Sequence, residues 1–409
     1  MKRWLILTQY YPPEIGAPQI RLRSLARELR LRGIEVEILT AMPNYPAGRC
    51  FPGYKGRLYM REEIDGIPIR RTWIYAGAGR SASIRLLNYL SFTFSAMMAA
   101  LIGPRPDVLF VESQPLSLGF VAILMKWLRG VPYIYNVPDL QIDVARQLGF
   151  MRNEVLLRIA WQLEDLFLRH SWMISTVTNQ FIEHFVARGI PRDQITFLPN
   201  GADETFLSPQ PASQELLQRW GLSGKNCFLY VGTHAYYHGL DTLIEAADLL
   251  RKRTEIAFLF IGDGPEKQRL QEAANDLELD NVIFGESPYE EMDQLYSIAI
   301  ASIATIRKMD VASGMRLSKI FPSLSCGVPV IFSGVGETAD LLLTNECGIA
   351  VPPEDPVRLS DAILELASDP SKRNQMGEHG RSLVEAEYSW QAIVGRWLEQ
   401  AGIPHMIAA

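Results

Sequence analysis

Short apolar runs alternate along this chain with longer stretches in which apolar residues return every three or four positions. The runs Trp4–Leu7, Glu35–Leu39, Val108–Val111, Tyr133–Tyr135, Met173–Val177 and Ile195–Leu198 read as strands. A second set follows at Cys227–Val231, Ile256–Ile261, Asn281–Phe284, Ala299–Ala304 and Val328–Phe332. Helix-length segments such as Gln19–Arg32, Glu154–Arg169, Leu240–Arg251 and Pro265–Leu277 lie between them. Strand–helix alternation predicts parallel sheets with helices on both faces, and two sets predict two doubly wound α/β domains. The boundary is expected near Asn200–Ser208, where Pro199-Asn200-Gly201 makes a turn and Pro209 and Pro211 interrupt any regular element. Ligands of such sheets sit beyond the carboxyl ends of the strands, so the loops directly after strands are where chemistry is expected.

Two helices break the alternation. Ile84–Ile102 is almost wholly apolar, and Leu116–Leu128 is apolar but too short to span a bilayer. They read either as core helices on the N-terminal sheet or as an apolar surface in a membrane interface flanked by Arg70, Arg71, Arg80 and Arg85. A transmembrane span is the third reading, and it would separate the preceding strands from the rest of their domain. The apolar run at the N-terminus stops at Gln9 with no small-residue cleavage site, so it reads as a buried strand rather than a signal peptide.

The 409 residues are 48% hydrophobic and 21% charged, a globular composition. The net charge of −6 is unevenly spread. Residues 1–200 hold 24 Lys+Arg against 16 Asp+Glu, or +8; the remainder hold 16 against 30, or −14. A basic lobe facing anionic lipid or phosphate is the preferred reading, with solvated faces the plain one. No aromatic-interleaved basic stretch appears, so nucleic acid is not expected as a partner. Cys50, Cys227, Cys326 and Cys347 lie far apart, which points to neither a zinc site nor a disulfide framework and fits a reducing cytoplasm.

Five post-strand loops carry candidate chemistry. In Gln9–Pro18, Gly16 lets backbone approach a ligand just before a helix N-terminus, or simply makes the turn. In Val137–Gln141, Asp139 is placed either to meet substrate hydroxyls or to cap a helix. The loop Val231–Leu240 holds Thr233, His234, His238 and Gly239; its hydroxyl and imidazoles can donate to phosphate oxygens, and it has no carboxylate for a metal. Ser313, Gly314, Arg316 and Lys319 precede a helix and can hold a diphosphate between backbone N–H groups and cations, or lie solvated on its surface. Glu337, after the last of these strands, suits a ribose diol or the first turn of a helix.

Taken in order, several stretches resemble glycosyltransferase family 4. They are Tyr10–Gly16, Leu198–Asp203, Tyr230–Ala247, Ile261–Pro265, Leu317–Phe321, Gly327–Val330, Gly348–Pro352 and Tyr388-Ser389-Trp390. The branch resembled is the bacterial amino-sugar transferases of surface polysaccharide assembly, of the L-fucosamine type. The resemblance implies the GT-B fold, two doubly wound Rossmann-like domains facing a central cleft. An acceptor-binding domain of residues 1–200 would receive a C-terminal helix at about 388–409, and residues 201–387 would bind the nucleotide sugar. It implies retaining transfer of a sugar from a nucleoside diphosphate co-substrate, UDP foremost, to a lipid-linked or saccharide acceptor, with no other cofactor. Lys319 and Asp139 would be catalytic, and Gly16, Thr233, His238, Gly239, Ser313, Gly314, Arg316, Lys319 and Glu337 would hold the donor. No Asp-x-Asp occurs, so no metal is expected. The implied location is the cytoplasmic face of the plasma membrane, as a peripheral protein.

Departures accompany the resemblance. The family's Gly-Arg…Lys-Gly clamp reads Gly232-Thr233…His238-Gly239, and its Glu-x7-Glu pair falls on Gly314 and Pro322. A His common in the family's N-terminal catalytic loop has Asp139 as its counterpart. A GT-B sugar-nucleotide epimerase and a catalytically inactive GT-B scaffold are therefore the rival readings.

Overall fold

A computed structural model describes residues 3–14, 16–45, 48–77, 81–147, 149, 151–309 and 314–403. Ser313 and Arg80 lie outside the described residues. The chain divides into two compact units, one of residues 1–199 with 393–409 and the other of residues 200–392. Each is a doubly wound α/β domain.

The first unit runs β1 (Arg3–Leu7), α1 (Ala17–Leu31), β2 (Glu35–Ala41), β3 (Tyr59–Ile64), β4 (Ile67–Thr72), α2 (Ala82–Ile102), β5 (Val108–Glu112), α3 (Leu118–Arg129), β6 (Tyr133–Val137), α4 (Gln141–Gln147), α5 (Glu154–His170), β7 (Met173–Thr176), α6 (Asn179–Ala187) and β8 (Ile195–Phe197). The strands are ordered β3-β4-β2-β1-β5-β6-β7-β8, all parallel except β3 against β4. Strand order reverses between β1 and β5, so their carboxyl ends form the switch point. Every residue of β5 and β6 is buried, as expected of central strands covered on both faces.

The hairpin β3–β4 is absent from the sequence reading. Its charged run Arg61-Glu62-Glu63 hides a strand with one solvent face. The turn between the strands is Asp65-Gly66, both at positive φ, which is the hairpin signature that could have revealed it.

The second unit runs α7 (Gln214–Arg219), β9 (Asn226–Val231), α8 (Asp241–Leu249), β10 (Ile256–Ile261), α9 (Lys267–Asp276), β11 (Val282–Gly285), α10 (Met292–Ser297), β12 (Ala299–Thr305), α11 (Ile320–Ser325), β13 (Val330–Ser333), α12 (Glu337–Thr344), β14 (Gly348–Val351), α13 (Pro356–Ser368) and α14 (Pro370–Leu383), then α15 (Trp390–Gln400). Its wholly parallel order, β11-β10-β9-β12-β13-β14, puts the switch point between β9 and β12. The strand expected at Val328–Phe332 begins two residues later, because Pro329 has no N–H to give the ladder.

Most of α15 belongs to the first unit. Trp397 packs edge-on against Trp4 and Phe110, each 5.9 Å away, and its indole N–H donates to Ser175 and Thr196.

The structure bears on both readings of the first apolar helix and corrects that of Arg70 and Arg71 as its flanking surface cations. Phe92 is fully buried, so one side of α2 belongs to the core. Arg70 and Arg71 are buried too, and they pair with Glu37 and Glu62 across the sheet edge, so neither is available to lipid. The opposite side of α2 leaves Leu86, Leu90, Phe94, Met98 and Ile102 exposed, each four residues from the last, with Arg85 exposed at the near end.

Candidate functional site

At the second switch point, the loop after β9 lies directly on the loop after β10. The Gly232 N–H donates to Ile261 O at 3.0 Å, and the His234 N–H to Asp263 O at 2.9 Å. A Cβ on Gly262 would stand 2.1 Å from Gly232 O, and one on Gly264 would stand 2.5 Å from His234 O. Glycine is required at both places because backbone meets backbone there.

Two residues missed in the sequence hold the far end of this loop. The Thr305 hydroxyl donates to His238 O at 2.5 Å. Arg307 donates from Nε to Tyr236 O at 2.8 Å, pairs with Asp241 and Glu354, and lies 4.3 Å above the Tyr236 ring. Gly239, at φ +61°, leaves room for Arg307, whose Cγ would be 2.9 Å from any Cβ. An arginine two residues past the end of β12 was the available signal.

The loop and the segment after β12 bring three predicted residues together. Lys319 Nζ donates to the Tyr230 hydroxyl at 2.9 Å and lies 3.4 and 3.5 Å from the His238 ring nitrogens. The Tyr230 hydroxyl donates in turn to Thr233 O at 2.8 Å. Two positive charges this close would repel by about 4–5 kcal/mol even at an effective dielectric of about 20. Burial pushes the Lys319 ammonium down to about 7. Burial, then the Lys319 charge, hold the His238 imidazole well below its usual range. His234 is wholly buried and stacked on Tyr230, and neither ring nitrogen has a partner among the described residues. Burial lowers it to about 4, so it is neutral. Thr233 is exposed and Gly314 is buried.

Arg316 and Glu337 were read as separate donor contacts. The structure joins them: Arg316 Nη2 donates to Glu337 Oε2 at 2.7 Å, with both side chains largely buried. Each charge is therefore spent on the other first. Tyr388, stacked on Phe321 at 4.7 Å, accepts from Arg316 Nη1 at 3.3 Å. The positions of the family's carboxylate pair, Gly314 and Pro322, offer nothing ionisable.

The first switch point is built differently. Arg21 from α1 pairs with Glu112 at the end of β5, and Asn136 of β6 donates to the other Glu112 oxygen at 2.9 Å. All three are buried. Asp139, half-buried just after β6, has its carboxyl raised to about 6 by desolvation, against the Leu140 N–H and the Arg21 charge, which pull it down. Gly16 caps α1 with extended backbone, and a Cβ there would meet only the Gln19 side chain, at 2.7 Å. The neighbouring Glu14 staples its loop to the end of β2 by accepting the Asn44 and Tyr45 N–H groups at 2.7 and 2.8 Å. Among the described residues, no three His, Cys, Asp or Glu side chains gather as metal ligands.

The class follows from comparison with known proteins. The Glycosyl transferase 4-like domain matches residues 16–201, and the Glycosyl transferases group 1 domain matches residues 213–383. The chain belongs to the GT-B glycosyltransferases. WcaI of Escherichia coli K12, named for glycosyl transfer in colanic acid biosynthesis, is 25% identical over 389 residues, covering 92% of this chain and 95% of its own. The 2-deoxystreptamine N-acetyl-D-glucosaminyltransferase of Streptomyces fradiae is 23% identical over 410 residues, covering 93% and 92%. Anabaena Alr3699/HepE, solved in complex with UDP and glucose, shares the fold with a TM-score of 0.75 at 16% identity, over 98% of this chain and 100% of that one.

Proposed function

We propose that the chain transfers a sugar, of the N-acetylated amino-sugar type, from a nucleoside diphosphate donor to a lipid-linked or saccharide acceptor in cell-surface polysaccharide assembly, with retention at the anomeric carbon. The observation that carries this is Lys319. Its ammonium is placed against the glycine-rich loop of a switch point, with no carboxylate bonded to it among the described residues. A half-buried, partly desolvated cation without a counter-charge calls for an anion, and a diphosphate supplies one. The UDP and glucose of HepE and the N-acetylglucosaminyl transfer named for the Streptomyces relative support UDP and an amino sugar.

In the reaction, the bond from the anomeric carbon to the β-phosphate oxygen breaks and the diphosphate leaves with the electron pair. The acceptor hydroxyl approaches from the same face, its oxygen bonds to the anomeric carbon, and its proton passes to the departing phosphate oxygen. The protein's part is positioning and neutralising the leaving charge through Lys319, with Thr233, Gly314 and the Arg316–Glu337 pair around the diphosphate and Asp139 orienting hydroxyls. Ser313 keeps its proposed donor role.

The acceptor side is proposed to meet a membrane from the cytoplasmic face. The exposed stripe Leu86, Leu90, Phe94, Met98 and Ile102, with Arg85 beside it, suits the interface of an anionic leaflet. The four free cysteines fit a reducing compartment.

A thermal-shift screen of UDP-, GDP- and dTDP-sugars tests the donor, since a ligand that binds only the folded chain stabilises it by mass action. Stabilisation followed by sugar transfer or donor hydrolysis supports the proposal. An epimerised free nucleotide sugar points to an epimerase. Binding with no turnover points to the inactive scaffold, the reading favoured by Gly314 and Pro322.

A further inference from the structure

The loop after β9 keeps the spacing of a phosphate clamp but carries Thr233 and His238 at its ends. Lys319 enters the same space from the segment after β12, and two side chains pin its ammonium. Nζ is 2.9 Å from the Tyr230 hydroxyl, 4.5 Å from that ring's centroid, and 3.4–3.5 Å from both His238 nitrogens. The loop backbone closes in as well: a Cβ on Gly232 would come within 3.1 Å of it. Tyr230 is held by its bond to Thr233 O, and His238 by Thr305 and by the Tyr237 ring 4.3 Å away. The ammonium is therefore fixed by groups that carry no negative charge.

The other charged groups around this cluster do not change that balance. Lys267 and Asp263 face His234 with opposite signs, and His234 is neutral. Arg316 is engaged with Glu337. Lys319 and His238 are thus two bases in contact, and their mutual repulsion lets the pair by itself hold one extra proton rather than two.

We propose that Tyr230 and His238 are positioning residues for Lys319, and that the Lys319–His238 pair binds the donor diphosphate together with a proton. The proposal rests on the donor site of the preceding section. A clamp of Arg and Lys in solvent is charged before the donor arrives. Here burial pulls the Lys319 ammonium to about 7, so at neutral pH it is protonated only part of the time. An arriving diphosphate favours the protonated form and raises its affinity for the proton. The sign follows: affinity is full below the free-site value and falls as pH rises through it, by up to about tenfold per pH unit.

Isothermal titration calorimetry of the full chain with UDP-glucose, UDP-N-acetylglucosamine and GDP-mannose tests this. These diesters carry no phosphate proton that titrates near neutrality. Runs in two buffers of different ionisation heat, between about pH 6.5 and 8.5, count protons taken up per ligand. The expected result is net uptake near neutrality and affinity falling with pH. Lys319→Arg, whose charge is permanent, is expected to bind more weakly, without uptake and without the pH slope. Tyr230→Phe is expected to raise Kd about tenfold, the loss of one hydrogen bond to a charged group, while uptake persists. Binding by the wild-type chain with no proton exchange overturns the inference but leaves the donor site standing. Equal uptake by wild type and Lys319→Arg overturns it as well, because the proton then resides elsewhere. If none of the three sugar nucleotides binds at any pH, the donor-site proposal and the inference fall together.

Discussion

The two units put polar side chains at the same topological place and treat their charge in opposite ways. In the first, Arg21 and Glu112 neutralise each other at the β1/β5 switch point, with Asn136 donating to the same carboxylate. In the second, Lys319, His238 and Tyr230 converge at the β9/β12 switch point with no carboxylate bonded to the cation among the described residues. A doubly wound sheet delivers side chains to this place whatever they are. Their charge balance decides whether the result is an internal brace or a seat for a ligand.

Removing the cation from each cluster gives the sharpest break of the comparison. Arg21→Met leaves Glu112 buried and unpaired, and is expected to cost about 3–5 kcal/mol of stability in urea unfolding. The double variant Arg21→Met/Glu112→Leu should recover most of it. If Arg21→Met is instead neutral while donor binding falls, the first cluster is a ligand seat as well.

In the second unit the sign reverses. Lys319→Ala removes an uncompensated charge, so the unliganded protein is expected to lose no stability. Donor binding should weaken by about 1.5–3 kcal/mol, the worth of a charge-assisted contact, as read from the donor's Kd. A variant that turns over donor at the wild-type rate removes Lys319 from the site.

Asp139 lies beside the neutralised cluster and tests whether that switch point also serves substrate. Asp139→Asn is expected to lower turnover about tenfold, one charge-assisted contact, with stability held at neutral pH. Because its native carboxyl is raised to about 6, the folded chain binds this proton more tightly than the unfolded chain does. Its contribution to stability should therefore grow as pH falls from above 6 toward 4, and Asp139→Asn should lack that gain. Normal turnover in a destabilised Asp139→Asn would assign the residue to capping α4.

The smallest effect concerns the α2 stripe. Leu90→Ser and Phe94→Ser are each expected to weaken co-sedimentation with anionic liposomes by about 1 kcal/mol, and added salt should weaken it further. Absence of sedimentation at low salt, with a soluble sugar acceptor used efficiently, removes the membrane from the proposal.

Much of the architecture was legible because it depends on local pattern. Buried parallel strands such as Val108–Glu112 are continuous apolar runs, and helices such as α5 begin at caps such as Asn153, whose side chain accepts from the Val155 and Leu156 N–H groups. Turn glycines also speak locally, which is why Gly232 and Gly239 drew attention to the loop after β9, whereas Gly262 and Gly264 entered only through the family resemblance. What stayed hidden depends on pairs distant in sequence. Arg70 and Arg71 looked like surface cations until Glu37 and Glu62 met them across the sheet edge.

The residues of the proposed donor site divide the same way. That Lys319, Arg316, His238 and Glu337 occupy post-strand segments was determined by the sequence, since strand periodicity alone sets where those loops begin. That Arg316 closes on Glu337 while Lys319 closes on His238 and Tyr230 was decided by the tertiary structure. Charge type is written in one residue, but charge balance belongs to contacts across 89 positions, from Tyr230 to Lys319, which only the packed sheet brings within 2.9 Å.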